Sequence, residues 1–220
     1  MKILSWNLFH GRSEPGSGRH LLREFGDTLA GWDWDAALLQ EVPPWWPVPL
    51  AHRCRASVRM ALTSRNELLP LRRALAIALP DVVKSEGGGC NAILLRGAPI
   101  DLHRTQVLAE RPERRVVHAV RAGGVWVANV HASKQEPRAR ALLDIEVASA
   151  AIGFWARDAP VAWGGDFNVR DPSAPGFTRA ASSGVDHVLV RGLEPVASST
   201  LDAGRLSDHR PLLCEVRPAA

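Results

Sequence analysis

Apolar positions along the chain fall into short, nearly continuous runs and into longer stretches with helical spacing. Apolar runs of roughly four to eight residues bounded by turn signals read as buried strands. Such runs are Ile3 to Leu8, Ala36 to Glu41, Asn91 to Arg96, Val116 to Val120, Val125 to His131, Val161 to Trp163, Val185 to Val190 and Leu212 to Val216. Gly123-Gly124 between two of them predicts a hairpin. Leu21, Leu22, Phe25 and Leu29 give helical spacing over His20 to Leu29, after a turn-rich loop from Gly11 to Gly18. Pro137 to Ala156 is the clearest helix, with proline at its start and apolar positions at Leu142, Ile145, Ala148 and Ile152. The stretch from Leu50 to Leu79 predicts one or two helices ending before Pro80, while Pro43-Pro44-Trp45-Trp46-Pro47 breaks regular structure. Strands and helices alternate with no linker, repeat or low-complexity tract, which predicts a single domain over residues 1–220.

Polar residues interrupt these strands in a repeated way. Asn7, Glu41 and His131 sit at or near the ends of apolar runs, and Gly165-Asp166-Phe167-Asn168, Val185-Asp186-His187 and Ser207-Asp208-His209 do the same. Burying one such group without a partner costs several kcal/mol. Six segments of this kind, all rich in oxygen ligands or histidine, point to one shared site.

Composition narrows the class. With 220 residues, 46% hydrophobic and 23% charged, the chain can bury a sizeable core. No apolar run approaches the roughly 20 residues needed to cross a bilayer, so no membrane insertion is expected. The N-terminus enters the first strand directly, too short an apolar stretch for a signal region, and a cytoplasmic monomer is expected. Cys54, Cys90 and Cys214 lack metal or disulfide spacing and read as reduced structural thiols. A net charge of +4 and a pI near 9.5 suit a polyanionic partner. The basic residues are nearly all arginine, however, with only Lys2, Lys84 and Lys134 as lysines, and a coding bias explains that at least as well.

Ser5-Trp6-Asn7, Leu39-Gln40-Glu41-Val42, Cys90 to Arg96, Asn129-Val130-His131, Gly165-Asp166-Phe167-Asn168, Val185-Asp186-His187 and Ser207-Asp208-His209-Arg210-Pro211 together resemble the successive motifs of the endonuclease/exonuclease/phosphatase, or DNase I-like, superfamily. The resemblance spans nearly the whole chain, in the family's order. It implies an α/β fold, a four-layer α-β-β-α sandwich of two packed, mainly antiparallel sheets flanked by helices. The active site is then expected at one end of the sandwich.

Phosphoester hydrolysis needs phosphate charge neutralised, a water made nucleophilic and developing charge stabilised. Mg2+ prefers oxygen ligands and is usually held by one or two carboxylates plus substrate phosphate, so Mg2+ or Mn2+ is the expected cofactor. By resemblance Glu41 is the metal ligand, Asn7 supports Glu41 or touches the metal, and Asp208 approaches it. The resemblance makes Asp166 the group that orients or deprotonates the attacking water. Asn168 donates to the phosphate or positions Asp166; spacing by two on an extended segment would put both on one face, although Gly164-Gly165-Asp-x-Asn is also ordinary turn chemistry. His209 contacts the scissile phosphate with Asp186 as its partner. His131 matches the DNase I, sphingomyelinase and inositol-phosphatase branches, and with no tyrosine in the chain an abasic-site endonuclease is disfavoured. Arg115 sits where the family keeps a phosphate-facing arginine, with Arg114 as the competing register; Asn91 anchors its strand or is structural.

Trp45-Trp46 is either a platform for stacked bases or a cap on a core edge. Gly87-Gly88-Gly89 reads as a flexible turn, because no Lys-Ser/Thr follows. Neither a G-x-S-x-G elbow nor an H-E-x-x-H helix is present. The expected function is hydrolysis of phosphodiesters, first in nucleic acid and alternatively in small molecules or phospholipid headgroups. A binding module that has lost catalysis fits less well, since Glu41, Asp166 and His209 are all retained.

Overall fold

The computed structural model describes residues 1–63, 66, 68–79, 89–134 and 137–219. The first part of the chain forms β1 (Lys2–Asn7), α1 (Leu22–Gly31), β2 (Ala36–Val42), α2 (Pro47–Cys54), β3 (Ser57–Leu62) and α3 (Leu69–Ala78). Then come β4 (Cys90–Leu95), β5 (Leu102–Ala109), β6 (Arg115–Ala122), β7 (Val125–His131) and α4 (Arg138–Ala156). The last strands are β8 (Val161–Asp166), β9 (Thr178–Ser183), β10 (Asp186–Arg191), β11 (Leu193–Thr200) and β12 (Leu212–Pro218).

Two six-stranded sheets result, ordered β11-β12-β1-β2-β4-β3 and β5-β6-β7-β8-β10-β9. Each has one parallel pair, β1/β2 and β7/β8, and is otherwise antiparallel. A parallel pair needs a crossover connection, and α1 and α4 lie in those two connections. The strand period of two then sorts side chains into three cores. Ile3, Leu38 and Ile93 meet Val127, Ala162 and Val188 between the sheets. Leu4, Trp6 and Leu39 turn outward to Phe25, Leu29 and Leu50 of α1 and α2. On the other outer face Ala128, Val130 and Trp163 pack under Ile145, Ala148 and Ile152 of α4. Each such large side chain contributes about 1.5–3 kcal/mol by leaving water. This is the four-layer arrangement the resemblance implies.

Buried amides and one arginine lock the layers together. Asn129 accepts from Gln40 Nε2 at 2.7 Å and donates to the carbonyls of Leu39 and Ala92, joining one sheet to the other. Asn91 donates to Val116 O at 3.0 Å, again across the sandwich, which is an anchoring role. Arg96 donates to the carbonyls of Trp32 and Cys54 and to those of Leu29 and Ala30 at the end of α1, and lies 3.7 Å over the Trp34 ring. Its single side chain therefore satisfies several carbonyls at and beyond the helix ends, sharing Leu29 O with the Trp34 indole N–H.

Several expectations are corrected. The stretch from Leu50 to Leu79 is not all helical, because β3 runs through it and pairs with β4. The strands β5, β9 and β11 had no counterpart among the expected strands. In α4 the buried stripe begins at Ala141 and leaves Leu142 exposed. All three cysteines are free and buried, in line with structural thiols. Gly87 and Gly88 lie outside the described residues. Among the described residues no helix is long and apolar enough to cross a membrane.

Candidate active site

The C-terminal residues of β1, β7 and β8 and the end of β2 meet at one end of the sandwich. Asn7 Nδ2 donates to Asp166 Oδ2 at 3.1 Å, joining the two sheets at their rim. His131 and Asp166 are register partners on the parallel pair β7/β8, so their side chains share a face, and His131 Nε2 lies 3.5 Å from Asp166 Oδ2.

Glu41 reaches the site only through an irregularity. Asn7 pairs with Gln40, so simple alternation would send the next side chain to the opposite face. A bulge between Leu39 and Val42, with Glu41 at φ +51°, turns the carboxylate back. Its Oε2 lies 3.0 Å from His10 Nε2 and its Oε1 lies 3.8 Å from His131 Nε2. Phe9, His10, Glu41, Asn168 and Ser207, all at this rim, are five of the eight non-glycine residues with positive φ among the described residues. Such conformations are costly and persist where surrounding structure over-determines them. Gly165, at φ +145°, is needed because any Cβ there would collide with the Val130 carbonyl oxygen.

The final loop delivers His209. Ser207 Oγ donates to Asn7 O at 2.6 Å and accepts the His209 N–H at 3.1 Å, while Trp6 Nε1 donates to His209 O at 3.1 Å. Thus pinned to β1, His209 places Nδ1 2.8 Å from Asp186 Oδ2 and Nε2 3.9 Å from Asp166 Oδ2. Asp166, Asp186 and His209 lie within 4.8 Å of one another. Nδ1 is thus engaged by Asp186, while Nε2 stands beyond hydrogen-bond reach of Asp166.

Electrostatics separate the groups. Burial and the charge of Asp186 raise the Asp166 carboxyl to about 7, against opposing effects of His209, the Asn168 N–H and Asn7. Burial disfavours the His209 cation, but the hydrogen bond and charge of Asp186, with Asp166 and Asp208, outweigh it and raise the group to about 9. His131 is pushed well below its ordinary value by burial and by the positive charge of Arg115. At Glu41 burial opposes ionisation, yet His10 and Asn7 hold the carboxyl well below the usual range.

Asn7, Glu41, His131, Asp166, Asp186 and His209 are thus gathered in one place. Asn7 spends its amide nitrogen on Asp166 and its oxygen on the Phe9 N–H at 2.9 Å, an arrangement of support more than ligation. Asn168 does not share an extended face with Asp166: β8 ends at Asp166, and Asn168 sits at φ +53°. Its backbone N–H donates to Asp166 Oδ1 at 3.0 Å and its side chain to Ala132 O at 3.1 Å, so the turn reading and the site reading coincide. Arg115, buried at the start of β6, pairs with Glu113; Arg114 instead donates to Leu62 O. Asp208 stands half exposed, with Oδ1 4.0 Å from His209 Nε2. Trp46 is buried against Phe25 and His20 and forms no stacking platform, and Trp45, partly buried, packs on the same core. His10 was not foreseen; its only sequence signal is a histidine three residues after Asn7, before Gly11.

The donor set fits a hard cation: Glu41 Oε1 and Asp166 Oδ2, from different sheets, both converge on His131. Residues 4–209 match the profile of the Endonuclease/Exonuclease/phosphatase family. The chain belongs to that family. Members of the endonuclease/exonuclease/phosphatase family are phosphoester hydrolases and generally use divalent metals. Among solved structures, a functionally unknown conserved protein from Enterococcus faecalis V583 aligns at TM-score 0.75 and 17% identity over all of both chains. A humanized D. rerio TDP2 aligns at 0.74 and 15%, covering 99% of this chain and 98% of that one. A Bacteroides thetaiotaomicron mannosyl-6-phosphatase aligns at 0.74 and 14%, covering 99% of each. At such identities the likeness is one of fold. No curated protein sequence matches the chain.

Proposed function

We propose that the protein is a divalent-metal-dependent phosphoesterase that hydrolyses phosphodiesters in nucleic acid. The observation that carries the reaction class is the gathering of Asp166, Asp186 and His209 within 4.8 Å, beside a third carboxylate, Glu41, turned inward by a bulge. Glu41 is the residue that would hold Mg2+ or Mn2+, with Asn7 steadying it and Asp208 at the outer rim. Such an ion neutralises phosphate charge and polarises the phosphorus when bound.

The rest belongs to the chain's own side chains. Asp166, fixed by the Asn168 N–H and by Asn7, accepts a proton from the attacking water; a base poised near neutral pH suits that task. His209, held by Asp186, presents protonated Nε2 toward the same space and donates to a phosphoryl oxygen. His131 offers an imidazole for the same charge, and buried Arg115 adds a fixed positive field behind it. A net charge of +4 and a pI near 9.5 support a polyanionic substrate. The tryptophan loop lends no support to base stacking.

The test is digestion, with Mg2+ or Mn2+, of plasmid and oligonucleotides beside phosphorylated sugars, inositols and phospholipids. Cleavage of nucleic acid by the parent protein, and its loss in Asp166→Ala and His209→Ala, is the expected result. Turnover confined to sugar phosphates, inositols or lipids would replace nucleic acid with a small-molecule or headgroup substrate. Undiminished activity in both variants would remove the assigned roles.

A further inference from the structure

We infer that His10 is a positioning residue that makes Glu41 a one-oxygen ligand and thereby sets the choice of cation, an inference that rests on reading Glu41 as the metal ligand. The two oxygens of Glu41 are not equivalent. Oε2 is taken by His10 Nε2 at 3.0 Å, whereas Oε1 faces His131 and, beyond it, Asp166. Only Oε1 is directed at the space shared by the catalytic groups.

The imidazole is committed to that contact. His10 Nδ1 is buried with no hydrogen-bond partner, so a proton there would be an unsatisfied buried donor. The tautomer that suits the site carries its proton on Nε2 and donates it to Glu41. With one nitrogen donating and the other enclosed, His10 has no lone pair to offer a cation. It acts through Glu41.

The turn that carries His10 is held from two sides. Phe9, His10 and Gly11 stand in succession at φ +49°, +55° and +77°. The Phe9 N–H is anchored on Asn7 Oδ1, and the Trp46 ring occupies the space that a Cβ on Gly11 would need. Trp46 is itself fixed by donating Nε1 to His20 Nε2 at 3.2 Å. Three successive left-handed residues would not persist without such bracing. The bracing delivers the His10 ring to one oxygen of Glu41.

Coordination preferences give the consequence. Mg2+ demands near-octahedral geometry, retains several waters and is content with single carboxylate oxygens; Ca2+ takes about 6–8 oxygens, often with a bidentate carboxylate. Glu41 restrained to Oε1 favours the smaller ion. Without His10 the hold on Oε2 is lost and the carboxylate can offer both oxygens, which weakens Mg2+ and Mn2+ binding and narrows their advantage over Ca2+.

The experiment is calorimetric titration of Mg2+, Mn2+ and Ca2+ into the metal-free parent protein and into His10→Asn, His10→Gln and Glu41→Ala. Asparagine tolerates the left-handed backbone but is too short to reach Glu41; glutamine keeps an N–H of suitable reach. His10→Asn is expected to bind Mn2+ about 10–100-fold more weakly with a smaller Mn2+/Ca2+ ratio, and His10→Gln to recover much of both. Parent-like Mn2+ affinity and Mn2+/Ca2+ ratio in a folded His10→Asn protein would overturn the inference. No Mn2+ binding by the parent, or undiminished binding by Glu41→Ala, would overturn the reading of Glu41 and this inference with it.

Discussion

Asp166 and Asp186 are register partners on the adjacent antiparallel strands β8 and β10, and of these two carboxylates Asp186 is the one hydrogen-bonded to the His209 ring, at 2.8 Å. The asymmetry gives two carboxylates on one rim different work. One fixes an imidazole; the other, crowded by burial and by its neighbour's charge, has its carboxyl raised to about 7, as the proposed base requires.

In the metal-free protein, His209 is expected to titrate near pH 9 by NMR. Since the folded value lies above 6.5, the charged pair favours the fold fully below that pH and the benefit is lost as pH rises through 9. Asp186→Asn removes the largest raising influence, so the His209 titration should move down, with kcat falling about 10²–10⁴-fold. An unmoved titration would show that Asp186 is not the controlling partner.

Asp166→Asn is expected to abolish measurable turnover and yet raise the melting temperature in EDTA above pH 7. The folded carboxyl is raised from 3.8 to about 7, so its contribution to stability is present below 3.8 and lost as pH rises through 7. Removing a charge that the fold disfavours recovers that loss. A melting temperature lower than the parent's at pH 8 would contradict the electrostatic account.

Acid sensitivity is expected to trace to His118 in the core. Burial, with the charge of His103 beside it, lowers His118 from 6.5 to about 3, and His103 Nε2 lies 3.2 Å from its Nδ1. The unfolded chain takes up the proton first as pH falls, so stability is lost from pH 6.5 toward 3. Urea unfolding should lose up to about 1.4 kcal/mol per pH unit through this group, and His118→Gln should flatten that slope. Parallel slopes in the two proteins would dismiss the idea.

Arg96→Ala is expected to cost about 1–3 kcal/mol, because it takes the donor from the part-buried carbonyls of Trp32 and Cys54 and removes a cation from the Trp34 ring. Chemical denaturation measures the loss. The remaining folded fraction should retain parent kcat, as Arg96 touches none of the site residues; a kcat loss at full folding would mean that α1 and α2 shape the site more directly.

Legibility in the sequence followed burial. The eight strands recognised from apolar runs are the interior strands of the two sheets, whereas β3, β5, β9 and β11 are the four sheet edges. An edge strand is half solvated: β3 buries only Ala61, and β11 exposes most of its length. Its sequence therefore carries little of the apolar signal that a strand flanked on both sides must have. Trp46 stayed open between two readings for the opposite reason, since a proline-framed tryptophan reads alike whether it faces a ligand or caps a core edge, as it does here against the Gly11 turn.

The polar residues at strand ends were set by the chain itself, because each is the wrong side chain for an apolar run and announces a partner. Their meeting was implied by number, not by geometry. Only the three-dimensional structure decided that Glu41 faces inward, since that depends on a one-residue bulge; that Asn168 holds Asp166 through its backbone N–H, since β8 stops short of it; and that His10 lies against Glu41. Periodicity reports which face of a regular element a residue occupies. At the rim the backbone leaves regular geometry, and there neighbouring strands and loops fix where each side chain points.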